Sequence, residues 1–288
     1  MKDITRRSAI LTMTGLATSL AYAREKATVF AVIGDRYHNS DYIRTALNRD
    51  IAKELKITID LTDDYTALTS ETLNGYRMLI VHRDGMIWPE GYGTVGGGGG
   101  RAGRSGGAAK KSGPPSPEII SEPPLPATSG KSEYWIKPEQ GKAVRQFVEN
   151  GGSALFLHNV THVGLTDPDF RHHVLGAAYQ GHPPIRKFKV KVKNPDHPIT
   201  KGVNDFIVTD EQHYMEYDKD PKHILLETVN EDGLTYRDLG ATAPGGWAYE
   251  YGKGRVCYFS PGHLLTAHWN PEYVKLKHNA VRWLLKQS

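Results

Sequence analysis

One cysteine, Cys257, stands alone in a chain of 288 residues. No internal disulfide can form, and the thiol has no second sulfur to exchange with. No apolar run after residue 23 is long enough to span a bilayer. Bulk charge is also missing. The formal net charge is +4, but residues 1–23 carry +2 and residues 91–137 carry +3, which leaves −1 for the remainder. A near-neutral body lacks the basic footprint that holds nucleic acid. Several motifs are absent as well. "GDRYHNSD" offers one glycine where a phosphate-cradling loop needs several, so neither flavin nor nucleotide is expected. No Gly-x-Ser-x-Gly surrounds a serine, Ser153 precedes its strand, and no His-Glu-x-x-His spacing occurs.

What is present begins with an export signal. "KDITRRSAILTMTGLATSLAYA" has a basic front, an apolar stretch and a small-x-small end at Ala21-Tyr22-Ala23. Cleavage before Arg24 is expected, giving a periplasmic or secreted protein. Arg6-Arg7 resembles a twin-arginine signal, and an ordinary secretory signal is the alternative. Residues 24–288 then form one domain. The 39% hydrophobic and 24% charged residues suit a soluble globular fold.

"ATVFAVIGD" at 27–35 reads as a buried strand. Ser40 is the expected cap of a helix with Ile43, Leu47, Ile51 and Leu55 on one face. "KITIDLT" and "YRMLIVHRDG" read as the second and third strands. A Gly- and Pro-rich stretch, 91–133, cannot bury enough surface to offset its ordering entropy, and reads as a flexible insertion or a lid. Tyr134 and Trp135 are placed to tack its far end to the body. A helix starting at Pro138, the strand "SALFLH", further strands, a "YGKG" hairpin and a final helix from Pro271 complete an α/β domain with a mostly parallel sheet.

"GGSALFLHNVTH" raises the functional question, since a strand made for burial ends in two titratable rings. In open α/β sheets, loops converge at the carboxyl ends of the strands and ligands bind there. His38 follows the first strand, His82 ends the third, and His158 ends the fourth with His162 in its loop. Glu211 and His213 follow "FIVTD", and His263 follows "VCYFSPG". His38 and Asp41 either bind sugar hydroxyls or a metal, or merely dress a helix start. His82 either faces the site or bonds a neighbouring backbone, and His162 and His213 complete the candidate substrate-binding set. His158, Glu211 and His263 are the catalytic candidates and the candidate ligands of a divalent metal such as zinc. His172, His173, His182, His197, His223, His268 and His278 read as structural or surface residues. Trp88, Tyr214, Tyr217, Trp247 and Trp269 either stack on sugar rings or pack the core.

"GKAVRQFVENGGSALFLHNVTH", "NPDHPITKGVNDFIVTDEQHYMEY" and "GGWAYEYGKGRVCYFSPGH" followed by "YVKLKHNAVRWLL" together resemble the ThuA-like, or trehalose utilisation, family. The likeness spans most of 27–287 outside the insertion. It implies a flavodoxin-like fold related to class I glutamine amidotransferases, with His158 in the place of their nucleophilic cysteine. It further implies a carbohydrate-active protein working on trehalose-like glycosides or their 3-keto derivatives, as an isomerase or related proton-transfer enzyme. A non-catalytic periplasmic carbohydrate-binding or scaffold protein is the rival. His213 departs from the family pattern, where an aromatic residue is expected.

Overall fold

In the computed structural model, residues 27–91 and 130–287 are described, together with Leu125 and Thr128. The expected signal at 1–23 and most of the 91–133 stretch lie outside the described residues. In chain order the strands and helices are β1 (Val29–Ile33), α1 (Ser40–Leu47), β2 (Ile59–Thr62), α2 (Ser70–Leu73), β3 (Met78–His82), β4 (Met86–Ile87), β5 (Glu133–Tyr134) and α3 (Pro138–Glu149). Then come β6 (Ser153–Leu157), α4 (Pro168–Phe170), β7 (Ala177–Gly181), β8 (Arg186–Val192), β9 (Phe206–Asp210) and β10 (Tyr214–Tyr217). The chain closes with β11 (Ile224–Val229), β12 (Thr242–Tyr251), β13 (Gly254–Phe259), α5 (Leu265–His268) and α6 (Pro271–Leu284).

A nine-stranded sheet runs β2-β1-β3-β6-β13-β12-β11-β8-β9. The first five strands are parallel, and each later neighbour is antiparallel to the one before. Seven of the nine therefore point the same way, with β12 and β8 reversed. β1, β3 and β6 are buried along their whole length. Their unbroken apolar runs follow from helices covering both faces, as parallel sheets require. On one face α6 packs through Tyr273, Leu276, Ala280 and Val281, and α1 through Ile43 and Leu47. On the other, α3 packs through Val144 and Val148. Among the described residues no helix is long and apolar enough to cross a membrane.

The far half behaves differently. β8 and β9 bury alternate residues, so only one face is covered. The β11–β12 pairing carries two register shifts, between Ile224 and Leu226 and between Leu226 and Glu227. Bulges of this kind bend and twist a strand. The far half curls, and edge strand β9 returns toward the loop after β13. Asp210, the last residue of β9, latches it there, with Oδ2 accepting from the Gly262 amide at 3.0 Å and Oδ1 from the His263 amide at 3.1 Å.

Two details differ from the sequence reading. The cap of α1 is Asn39, not Ser40. Asn39 has extended backbone and its side chain accepts from the amides of Asp41 (2.8 Å) and Tyr42 (3.4 Å), while Ser40 is already helical. Ordered pairing also occurs inside the span assigned to the insertion, where Glu133 pairs with Ile87. Tyr134 pairs with Met86, and the buried Trp135 indole donates to the Asp84 carbonyl at 2.7 Å.

Candidate active site

The carboxyl ends of β1, β3, β6 and β9 and the loop after β13 converge on one crevice. His158 sits immediately after β6 with φ +55°. A left-handed backbone at a non-glycine residue costs on the order of 1 kcal/mol, and it aims the ring sharply off the strand. The Tyr258 hydroxyl donates to the His158 carbonyl at 2.7 Å and holds this turn. His158 Nδ1 lies 2.9 Å from the Ser260 carbonyl, so Nδ1 carries the hydrogen. Its Nε2 is buried, makes no hydrogen bond, and faces Glu211 Oε2 at 3.4 Å.

Glu211 is the hub. Its Oε2 is 3.3 Å from His213 Nε2 and 3.4 Å from His263 Nδ1, and its Oε1 is 3.6 Å from His182 Nδ1. Burial alone would raise the Glu211 pKa. The surrounding imidazoles of His158, His213, His263 and His182 outweigh it, holding the carboxyl well below its usual range. His213 stacks on His158 with centroids 4.2 Å apart. Burial, together with the neighbouring His158, keeps His213 well below the ordinary imidazole value. Burial likewise lowers His158, against the pull of Glu211.

His38 enters from the other side, its Nε2 3.2 Å from His263 Nδ1. Its Nδ1 is gripped by Asp35 at 2.8 and 3.0 Å. Burial works against both charges. The His38 interaction nevertheless holds Asp35 at about 2, and Asp35 raises His38. Ligand atoms of His38, His158, Glu211 and His263 all lie within 4.8 Å of one another, as do those of His182, Glu211 and His213.

A second constellation flanks this cluster. His162 Nδ1 is 3.1 Å from Asp84 Oδ2, and Asp84 is fixed by the Met86 amide at 2.7 Å and by Asn159 Nδ2. Tyr134 Oη lies 3.4 Å from His162 Nε2. Tyr179 joins the two groups, its ring centroid 5.0 Å from that of His162 and 5.3 Å from that of His213.

The structure thus gathers His38, His158, Glu211, His213 and His263 around one point, with His162 beside them. It does not bring Asp41 in, which is exposed in the first turn of α1. His82 is fully buried behind the crevice, its ring 6.0 Å from His38, 6.1 Å from His158 and 5.2 Å from His268. Neither of its nitrogens has a partner among the described residues, and burial lowers its pKa well below normal. It is a wall of the site rather than a contact for substrate. Sequence reasoning missed His182, read as structural or surface; it follows β7, a strand not anticipated. Asp35, Asp84 and Asp210 were also missed. Asp35 and Asp84 each lie two residues after a buried strand and Asp210 is the last residue of β9, placements that could have marked them. Cys257 is buried within β13 and its thiol is pushed well up by burial, as expected of an inert residue.

Comparison with known proteins now bears on these residues. A putative ThuA-like protein from Bacteroides uniformis matches over 91% of this chain and 93% of its own, at 16% identity and TM-score 0.57. One from Parabacteroides merdae matches over 90% of both chains, at 13% identity and TM-score 0.61. A cytoplasmic protein from Salmonella typhimurium matches over 89% of this chain and 99% of its own, at 11% identity and TM-score 0.52. At such identities the likeness is one of fold. Among curated proteins none matches. The family model described as trehalose utilisation, ThuA, matches residues 126–284, a span that holds His158, His162, Glu211, His213 and His263. With more than half of its length matched, the chain belongs to the ThuA family.

Proposed function

We propose that this protein is an exported carbohydrate-active enzyme that moves a proton beside the carbonyl of a keto-sugar, such as a 3-keto derivative of a trehalose-like disaccharide. The single observation that carries the reading is the pairing of two unlike constellations across Tyr179. One is a basic dyad, Asp84–His162; the other is an electrophilic cluster centred on His158, His263 and Glu211.

Enolisation needs a base for the proton on the carbon next to the ketone and a partner for the oxygen that becomes negative. Glu211 read alone suits the base. Its oxygens face the rings of His158, His182, His213 and His263 rather than open space for a substrate carbon. The base role passes to His162, whose Nδ1 is oriented by Asp84 and whose Nε2 faces Tyr134 at the crevice wall. His162 takes the proton from the hydroxyl-bearing carbon, the cluster holds the enediolate oxygen, the neighbouring hydroxyl passes its proton to that oxygen, and return of the first proton to the former carbonyl carbon gives the isomer. Solvent reaches the cluster through His263 and Glu211, whose side chains are 10% and 13% exposed, while His158 is sealed beneath them.

The carbohydrate-binder reading draws less support. Trp247 and Tyr214 are packed in the core and cannot stack on a sugar. Export rests on the Ala21-Tyr22-Ala23 signal alone. An intact mass starting at Arg24 supports it, and exported material retaining Met1 contradicts it.

The decisive experiment incubates the protein with a 3-keto-disaccharide in deuterium oxide. Deuterium should appear at the carbon next to the carbonyl, and Asp84→Asn should slow the exchange about tenfold or more. A protein that shields the sugar but never exchanges this proton is a binder, and the enzyme reading then falls.

A further inference from the structure

We infer that His38, His158, His263 and Glu211 form a binding site for one first-row divalent ion such as zinc. The inference deepens the reading above and rests on it for what the ion does to substrate, though not for the binding itself.

The argument begins with hydrogen positions. His158 Nδ1 faces the Ser260 carbonyl, an acceptor, so its hydrogen is there and Nε2 holds a bare lone pair. That lone pair points at a carboxylate oxygen of Glu211, 3.4 Å away. His38 Nδ1 faces Asp35, and its Nε2 meets His263 Nδ1 at 3.2 Å, a contact in which either ring can donate. An unprotonated His158 Nε2 and a carboxylate oxygen facing each other in a buried pocket repel unless a cation lies between them. His158 Nε2 is fully buried and carries no hydrogen bond, which leaves it as a donor atom without a bound hydrogen or an acceptor role.

Distances agree. Tetrahedral zinc with bonds of about 2.0–2.1 Å sets neighbouring donors about 3.3 Å apart. Three of the six edges are 3.2 Å (His38–His263), 3.4 Å (His158–Glu211) and 3.4 Å (His263–Glu211), and all six lie within 4.8 Å. The outer contacts also fit, since ligating imidazoles give their other nitrogen to a carboxylate or carbonyl. Asp35 does so for His38, and the Ser260 carbonyl for His158. His182 and His213 brace Glu211 from behind. Three imidazoles and one carboxylate suit zinc, cobalt or iron(II) better than the all-oxygen ions magnesium or calcium. An ion held by these four residues would be open to a substrate oxygen on the side where Glu211 and His263 meet solvent, and would polarise it.

The test uses the full protein as isolated, stripped with a chelator and then titrated with zinc or with cobalt(II). One equivalent should bind, and the cobalt form should show the visible absorption of a four- to five-coordinate nitrogen–oxygen site. Glu211→Gln and His263→Ala should each weaken zinc affinity about 10-fold or more. Both sit at the mouth, so the stripped variants should melt with the stripped parent, which separates lost ligation from lost fold. No uptake at micromolar zinc, or uptake indifferent to both substitutions, overturns the inference. Proton exchange by the metal-stripped protein at the full rate also overturns the metal's role while leaving the sugar chemistry standing. Tight stoichiometric zinc without sugar exchange sinks the sugar chemistry and leaves the metal site.

Discussion

The two halves of the sheet solve different problems. The parallel half inside edge strand β2 is sealed on both faces, and the donors it carries are almost inaccessible: His38 is 3% exposed and His158 0%. The antiparallel half ends in β8 and β9, which have one open face, and delivers Glu211, which solvent touches. Rigid donors come from the sealed half, and the carboxylate that meets them comes from the curled half. A crevice built this way couples a fixed wall to a wall whose position depends on a bend.

Truncating the same kind of side chain in each half should break the symmetry most plainly. Leu155→Ala, at the centre of the parallel core, should cost about 2–5 kcal/mol of stability in denaturant melts. Ile207→Ala on β9, 52% exposed, should cost no more than about 0.5 kcal/mol. Equal costs would mean that the far half is as tightly packed as the near one.

Donor substitutions sharpen the contrast next. Glu211→Gln should lower keto-disaccharide turnover about 100-fold while the melting temperature stays within a few degrees. His158→Ala should lose turnover to a similar degree and also lose stability. It empties a buried ring that stacks on His213, and it leaves alanine at φ +55°. A destabilised but fully active His158→Ala would remove this residue from the chemistry.

A smaller effect tests the buried charge behind the parallel half. Lys277 on α6 is fully buried, donates to Asp50 at 2.6 Å and to the His268 carbonyl at 3.1 Å, and is lowered by burial to about 8 from its ordinary 10.5. Between those values the unfolded chain holds the proton more often than the folded one, so stability rises with pH across this window. From pH 8 to 9 the gain should be about 1 kcal/mol relative to an Asp50→Asn, Lys277→Met double variant, which cancels the tyrosine titrations. A flat difference would place the Lys277 pKa outside this range.

Legibility in the sequence follows the same divide. β1, β3 and β6 were readable because burial on both faces leaves an uninterrupted apolar run, and their last residues therefore marked the site. β4, β5 and β7 were not, being two to five residues long without a distinctive pattern. The curl that brings Glu211 to His158 depends on bulges in β11–β12 and on the Asp210 latch, neither of which has a local signature. Glu211 could be suspected from its place after β9, whereas its four imidazole neighbours required the fold. His182 escaped notice because its strand did, and Asp41 was drawn in only by its nearness to His38.

The contact between His38 and His263 spans 225 residues of chain. Loop closure on that scale comes late in folding, since its entropy must be met before the contact can reward it. A chain lacking its final fifty residues therefore holds His38, His158 and Glu211 with nothing to join them. On the proposed reading, chemistry at this crevice would be a certificate of completion: molecules clipped before the loop after β13 should be inert, because that loop carries His263.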